Sequence, residues 1–173
     1  MKRLLIPLPV LAASLLIAAC GGGSSSDSGA ATAATPPSGG TVAVKSVSGT
    51  GNVLVDSSGK ALYSADVERN GKVLCTGACT SFWMPLTTDS AKPTGSSSAG
   101  TLGVVKRPDG TMQVTAGGRP LYTFSQDSAG KVTGNGFADA FNGHHFKWTV
   151  VTAGGKAAAT SGGGGGGSGP YGY

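Results

Sequence analysis

The sequence predicts an all-β fold: two pseudo-symmetric repeats, each containing a β-hairpin, packed on one another as a small sandwich or barrel-like domain. Three observations predict it. The 173 residues include 31 glycines and 9 prolines, too many for a helical protein, since an interior Gly costs a helix about 1 kcal/mol relative to Ala and Pro costs more. Those glycines are clustered, which leaves room for a folded core. A stretch also recurs: residues 51–64, GNVLVDSSGKALYS, align without gaps on residues 110–123, GTMQVTAGGRPLYT, at a constant offset of 59.

The elements follow in chain order. Met1-Lys2-Arg3 is a short basic start, and residues 4–19 are apolar apart from Ser14. That run is short for a membrane span of about 20 residues, and Pro7 and Pro9 interrupt it, so residues 1–19 read as a cleaved signal peptide. Its end, Leu16-Ile17-Ala18-Ala19-Cys20, resembles the lipobox of bacterial lipoproteins, which implies lipidation of the Cys20 thiol. Several acyl chains anchor far better than one, because each buried methylene contributes about 0.8 kcal/mol. By the sorting rules of such lipoproteins, Gly21 after the cysteine, in place of Asp, suits the outer membrane of a Gram-negative host. The expected location is therefore the bacterial cell envelope, lipid-anchored, facing the periplasm or the cell surface.

Residues 20–40 carry the cysteine and a tether of Gly, Ser, Ala, Thr and Pro in which Asp27 is the only charge. Such a stretch cannot bury enough apolar surface to offset its ordering entropy. Residues 41–100 form repeat 1 and residues 101–152 repeat 2. Residues 153–173, with six consecutive glycines and a Tyr171-Gly172-Tyr173 end, read as a disordered tail.

Within each repeat, apolar residues stand two apart (Val53 and Val55; Met112 and Val114), a Gly-containing turn follows, and a second run ends in Leu-Tyr. Alternating runs around such a turn are the signature of a hairpin. The copies continue through Lys72-Val73 and Lys131-Val132, then close on Trp83 and Trp148. Neither half, at about 55 to 60 residues, can cover its own apolar face, so the halves should pack together. Residues 87–103 are the crossover. Helix is nearly absent, with one turn expected at 80–84.

Several of these residues together resemble a known family. Leu62-Tyr63, the Cys75-Thr76-Gly77-Ala78-Cys79 element followed by Trp83 and Pro85-Leu86, and Gly118-Arg119-Pro120-Leu121-Tyr122-Thr123-Phe124-Ser125-Gln126-Asp127 are similar to the secreted-repeat lipoproteins of bacteria, which carry a Tyr-x-aromatic-x-x-Asp motif. The resemblance spans about residues 51–151. Repeat 2 matches in full with Tyr122, Phe124 and Asp127. Repeat 1 departs: Tyr63 is present, Ala65 stands where the aromatic belongs, Asp66 and Glu68 replace the expected Asp, and Met84 stands where the family has Pro. The resemblance implies a fold and an exported location but no activity.

The chemistry-bearing residues are few. In an oxidising compartment Cys75 and Cys79 should form a disulfide, whose short loop makes it worth only about 2 kcal/mol. The alternative is a copper or thiol-redox site using Cys75, Cys79 and His144 or His145, with Met84 and Met112 as further soft donors. Residues 127–139 have calcium-loop composition without the required spacing. Tyr122 and Asp127, five apart, should face each other across a strand end as a structural corner, the carboxylate accepting from a backbone or hydroxyl donor; the alternative is an exposed sugar- or peptide-binding aromatic patch with Phe124. No Gly-x-Ser-x-Gly, phosphate loop or His-Glu-x-x-His occurs, so no catalytic residues and no cofactor are expected. The net charge of +5 includes Lys2 and Arg3 of the leader and is otherwise scattered, which argues against a nucleic-acid partner. The expected partners are the membrane, through the lipid, and an envelope ligand or protein, with the protein acting as a binding or structural module rather than an enzyme.

Overall fold

The computed structural model describes residues 42–158. The expected signal peptide, Cys20, the expected tether and residues 159–173 of the expected tail lie outside the described residues.

Among the described residues the elements are strands and two short 3-10 turns. Repeat 1 supplies β1 (Ala43–Val47), β2 (Gly51–Val55), β3 (Leu62–Ala65) and β4 (Trp83–Pro85), with a 3-10 turn at Gly77–Ser81. A second turn, Ser97–Ala99, lies in the crossover. Repeat 2 supplies β5 (Leu102–Lys106), β6 (Met112–Ala116), β7 (Arg119–Pro120), β8 (Tyr122–Phe124), β9 (Ala138–Phe141) and β10 (His144–Thr152), and β11 (Lys156–Ala157) follows. The larger sheet runs β1-β2-β10-β3-β8-β4, with β9 and β11 both on β10, and curls into a half-barrel. The smaller sheet, β5-β6-β7, packs against it.

The centre of this arrangement is a self-equivalent pair. β3 and β8 run antiparallel with Tyr63 opposite Tyr122, and the repeat offset carries Tyr63 onto Tyr122 itself. The pseudo-twofold axis therefore passes between these two residues. On the outer flanks the repeats exchange strands. β10 of repeat 2 pairs with β3 of repeat 1, placing Trp148 opposite Ala65 and Val150 opposite Tyr63. β4 of repeat 1 pairs with β8 of repeat 2, placing Trp83 opposite Phe124 and Pro85 opposite Tyr122. Backbone bonds repeat the symmetry: the Asp66 N–H donates to the Lys147 carbonyl at 3.0 Å, and the Ser125 N–H to the Phe82 carbonyl at 2.8 Å.

Three expectations need correction. The main partners of β2 and β6 are the strands upstream, β1 and β5, which are themselves related by the repeat offset. The run expected to complete each hairpin contributes only the Val55–Ala61 bridge in repeat 1 and two residue pairs in repeat 2. The helical turn forms at Gly77–Ser81 rather than at 80–84, because it is closed by Cys79 and its carbonyl. The boundary at 152 falls short: β11 returns onto β10, and the Ala158 N–H donates to the Val150 carbonyl.

Successive residues of a strand face opposite ways, and here both faces are buried. Val53, Val55, Tyr63, Tyr122 and Val150 enter one cluster with Trp83, Trp148, Phe124 and Phe146. Leu54, Leu62, Leu121 and Val151 enter a second, closed by Val114 and Ala116 of β6. Burial on both sides explains the Val-Leu-Val and Leu-Tyr runs, which a one-sided strand would have alternated with polar residues.

Gly134 sits buried against the aromatic cluster, and a Cβ there would stand 2.8 Å from Trp83 Cη2 and 3.1 Å from Phe124 Cδ1. Both rings are fixed in a stack and cannot swing aside. Overpacking of this kind costs about 1–3 kcal/mol, so Gly134→Ala should lower the stability measured by urea unfolding by that amount, with the denaturant slope unchanged.

Candidate functional site

The strand exchange brings the chemistry-bearing side chains to one place, around the axis. Trp83 and Trp148 stack with ring centroids 4.0 Å apart and planes 11° from parallel. Phe124 stacks on Trp83 at 4.4 Å and Phe146 on Trp148 at 5.6 Å. The result is a four-ring column, and such contacts are worth about 0.5–1.5 kcal/mol each beyond burial. Tyr63 meets Trp83 edge-on at 5.4 Å, and Tyr122 meets Trp148 edge-on at 5.1 Å. The missing aromatic of repeat 1 is thus made good: where Ala65 cannot cover Trp148, Phe146 from the same strand as that tryptophan does.

Three carboxylates line the polar side of this cluster, and two of them accept from Tyr63 and from both indoles. The Tyr63 hydroxyl donates to Asp127 Oδ2 at 2.5 Å, while Asp127 Oδ1 accepts from the Thr133 N–H at 2.9 Å and the Thr133 hydroxyl at 2.6 Å. Burial pushes the Tyr63 hydroxyl far above the ordinary tyrosine range, and the bond to Asp127 and its charge push the same way. The motif carboxylate therefore serves the tyrosine of the other repeat, not Tyr122 of its own. This corrects the expected Tyr122–Asp127 pairing. The exposed aromatic patch is corrected too, since Tyr122 and Phe124 are both buried.

Glu68 occupies in repeat 1 the place that Asp127 holds in repeat 2, at the same constant offset. Its Oε1 accepts from the Leu74 N–H at 2.6 Å, and Leu74 is the repeat 1 counterpart of Thr133. It also accepts from the Cys75 N–H at 2.7 Å. The repeat 1 motif thus keeps the loop-holding part of the role, with Glu for Asp. Its other oxygen faces Tyr122, whose hydroxyl is driven upward by burial and then by the Glu68 charge, although neither atom closes a hydrogen bond among the described residues. Sequence reasoning set Glu68 aside because it sought an aspartate. The constant offset was the signal that could have found it.

Asp139 is the third carboxylate. Trp83 Nε1–H donates to its Oδ2 at 2.7 Å and Trp148 Nε1–H to its Oδ1 at 2.9 Å. The separation between the tryptophans exceeds the repeat offset, and the added stretch of repeat 2 carries β9 and Asp139. The turn Asn142-Gly143, with φ of 51° and 76°, is the chemistry that joins β9 to β10. Burial raises the Asp139 carboxyl above its ordinary value, and the two indole bonds oppose that rise.

One cation completes the cluster. Arg107 is 3% exposed; it donates to Gln113 Oε1 at 2.6 Å, to the Cys75 carbonyl at 2.9 Å and to Asp109 at 3.3 Å. It ties repeat 2 to the loop of repeat 1 that bears the cysteines. Cys75 and Cys79 are joined in a disulfide with Cα atoms 5.3 Å apart, both buried in the cluster that holds Trp83. In that state neither sulfur offers a thiolate for copper. His144 and His145 are exposed at the start of β10, and among the described residues no group of three or more His, Cys, Asp or Glu could hold a metal ion. Residues 127–139 do not make a cation loop: Asp127 is bound to Tyr63 and Thr133, and Asp139 to the indoles.

Fold and site together define a β module of two interlocked repeats, each supplying a strand that flanks the other, with Asp127 of repeat 2 accepting from Tyr63 of repeat 1. Residues 103–152, which bear Tyr122, Phe124, Asp127 and Trp148, match the model of a family described as a secreted repeat of unknown function. That is the family to which the motif residues pointed. No curated protein and no solved structure matches the chain.

The two tyrosines should respond differently to loss of their hydroxyls. Tyr63→Phe leaves the buried Asp127 Oδ2 without its donor and should cost about 1–3 kcal/mol in urea unfolding, whereas Tyr122→Phe removes a hydroxyl with no closed bond and should change stability by about 0.5 kcal/mol or less. Asp139 should make stability depend on pH. Because the folded Asp139 carboxyl is raised above its ordinary 3.8, the folded protein keeps a proton that the unfolded chain has released. Its contribution is therefore full below pH 3.8 and declines as pH rises through the raised value. Stability measured against pH should show that decline in the wild type and lose it in Asp139→Asn.

Proposed function

We propose that the chain is a lipid-anchored module of the bacterial cell envelope, held at the outer membrane, with a non-enzymatic binding or structural role. The observation that carries this reading is the leader, in which a basic start and an apolar run end on Leu16-Ile17-Ala18-Ala19-Cys20. The family match, to a secreted repeat, supports export. The buried disulfide supports an oxidising compartment. The bonds that tie Asp127, Glu68 and Asp139 to other parts of the fold support a structural role for these carboxylates. Val67, Phe82 and Met84 are the large apolar side chains exposed to an envelope partner among the described residues.

The test is expression of the full chain in a Gram-negative host, followed by membrane separation, detergent phase partition and intact-mass measurement. The wild type should enter the detergent phase from outer membranes and carry the mass of a diacylglyceryl and an amide-linked acyl group on Cys20. Cys20→Ser should move to the aqueous phase. A wild-type protein that is water-soluble with an unmodified Cys20 would contradict the anchor.

A further inference from the structure

Packing accounts for the rings of Tyr63, Trp83, Trp148 and Tyr122 but not for what is placed at their polar atoms. These four oxidisable rings make an unbroken file, with centroids 5.4 Å apart from Tyr63 to Trp83, 4.0 Å from Trp83 to Trp148, and 5.1 Å from Trp148 to Tyr122. The file is palindromic about the pseudo-twofold axis. Along it, each O–H or N–H is matched with a carboxylate: the Tyr63 hydroxyl with Asp127, both indoles with Asp139, and Glu68 stands beside Tyr122. A buried Phe would fill the same space and need no polar partner.

A phenol or indole gives up an electron far more readily when its proton can pass to a base in the same event. Of the three carboxylates, Asp127 and Glu68 are buried and Asp139 is half-buried, so Asp139 is the one that meets water. Stacking of the two indoles places the second ring against the one that gives up the electron. At the ends of the file the two tyrosines differ: Tyr63 has a closed bond to its carboxylate, and Tyr122 does not.

We propose that this file is a one-electron donor site whose substrates are strong one-electron oxidants, and that the oxidising equivalent comes to rest on Tyr63. In the first step one electron leaves the Trp83–Trp148 pair for the oxidant, and an indole Nε1 proton moves to Asp139. In the second, an electron passes from Tyr63 to the oxidised indole, which takes its proton back from Asp139, while the Tyr63 hydroxyl proton moves to Asp127 Oδ2. The balance is one oxidant reduced by one electron, one neutral tyrosyl radical and one protonated Asp127. The proposal does not depend on the envelope role and is tested on purified protein.

The chain has four tyrosines, so the full-length double variant Tyr171→Phe/Tyr173→Phe retains only Tyr63 and Tyr122. It is oxidised with photogenerated tris(bipyridine)ruthenium(III) and followed by transient absorption and electron paramagnetic resonance. A tryptophanyl signal should decay as a tyrosyl signal grows, with one time constant. Adding Tyr63→Phe or Asp127→Asn should lengthen the tryptophanyl lifetime about ten-fold or more, the effect of raising a barrier by about 1.4 kcal/mol. Adding Tyr122→Phe should leave the tyrosyl signal in place, since that signal belongs to Tyr63. In heavy water the unsubstituted file should transfer more slowly, a readout that needs no folded core variant. A tryptophanyl lifetime unaffected by both Tyr63→Phe and heavy water, or a tyrosyl signal abolished by Tyr122→Phe, would overturn the proposal.

Discussion

The antiparallel contact of Tyr63 with Tyr122 is the constraint from which the rest of the molecule follows. A pair of equivalent residues that face each other across two antiparallel strands fixes a twofold axis between them, and the strands that flank the pair then come once from each repeat. The outer strands obey this by crossing over, so that each tryptophan strand packs on the partner repeat. The carboxylates obey it as well, Asp127 reaching Tyr63 and Glu68 standing by Tyr122. A single repeat would lose a flanking strand and half of the indole stack together, and repeat 1 would also lose the acceptor for its tyrosine hydroxyl. Interdependence of this kind, rather than any one contact, is what lets a small domain with so much glycine hold one structure.

The two copies have diverged around that axis, and the differences show how one site can be maintained by unlike residues. Ala65 leaves Trp148 without its aromatic cover, and Phe146 supplies it from along the same strand. Glu68 holds its loop through two backbone N–H groups, where Asp127 uses one N–H and a threonine hydroxyl. Repeat 1 braces the approach to its tryptophan with the Cys75–Cys79 disulfide, whereas repeat 2 uses the β9–β10 hairpin and thereby introduces Asp139. Because Asp139 accepts from both indoles, an element of one repeat alone clamps the tryptophans of both. Arg107 is equally one-sided, crossing from repeat 2 to the cysteine loop of repeat 1.

Much of this was legible in the sequence because it depends on local pattern. The constant repeat offset, the turn glycines, the closing tryptophans and the Cys75–Cys79 spacing led to an all-β, two-repeat domain with a disulfide. What could not be read was decided by tertiary pairing. Spacing along the chain suggested that Tyr122 and Asp127 meet, yet β8 ends at Phe124 and the chain turns toward the other repeat before Asp127. Strands β1 and β5 escaped notice because their sequences, AVKSV and LGVVK, share little beyond the offset. Burial on both faces of the central strands also hid the polar alternation on which a hairpin reading relies. The role of Asp139 rests on the Asn142-Gly143 turn, a strong hairpin signal, but nothing local says that two indoles will converge on it.

Interlocking makes a claim about cooperativity: neither repeat can open while the other stays closed. Native-state hydrogen exchange of the amides in β3, β4, β8 and β10 measures this directly, because it reports the free energy of the opening that exposes each amide. The account predicts that the slowest amides of all four strands converge on one value, equal to the global unfolding free energy. Amides of β3 and β4 that exchange through a distinctly cheaper opening, while those of β8 and β10 remain protected, would contradict it.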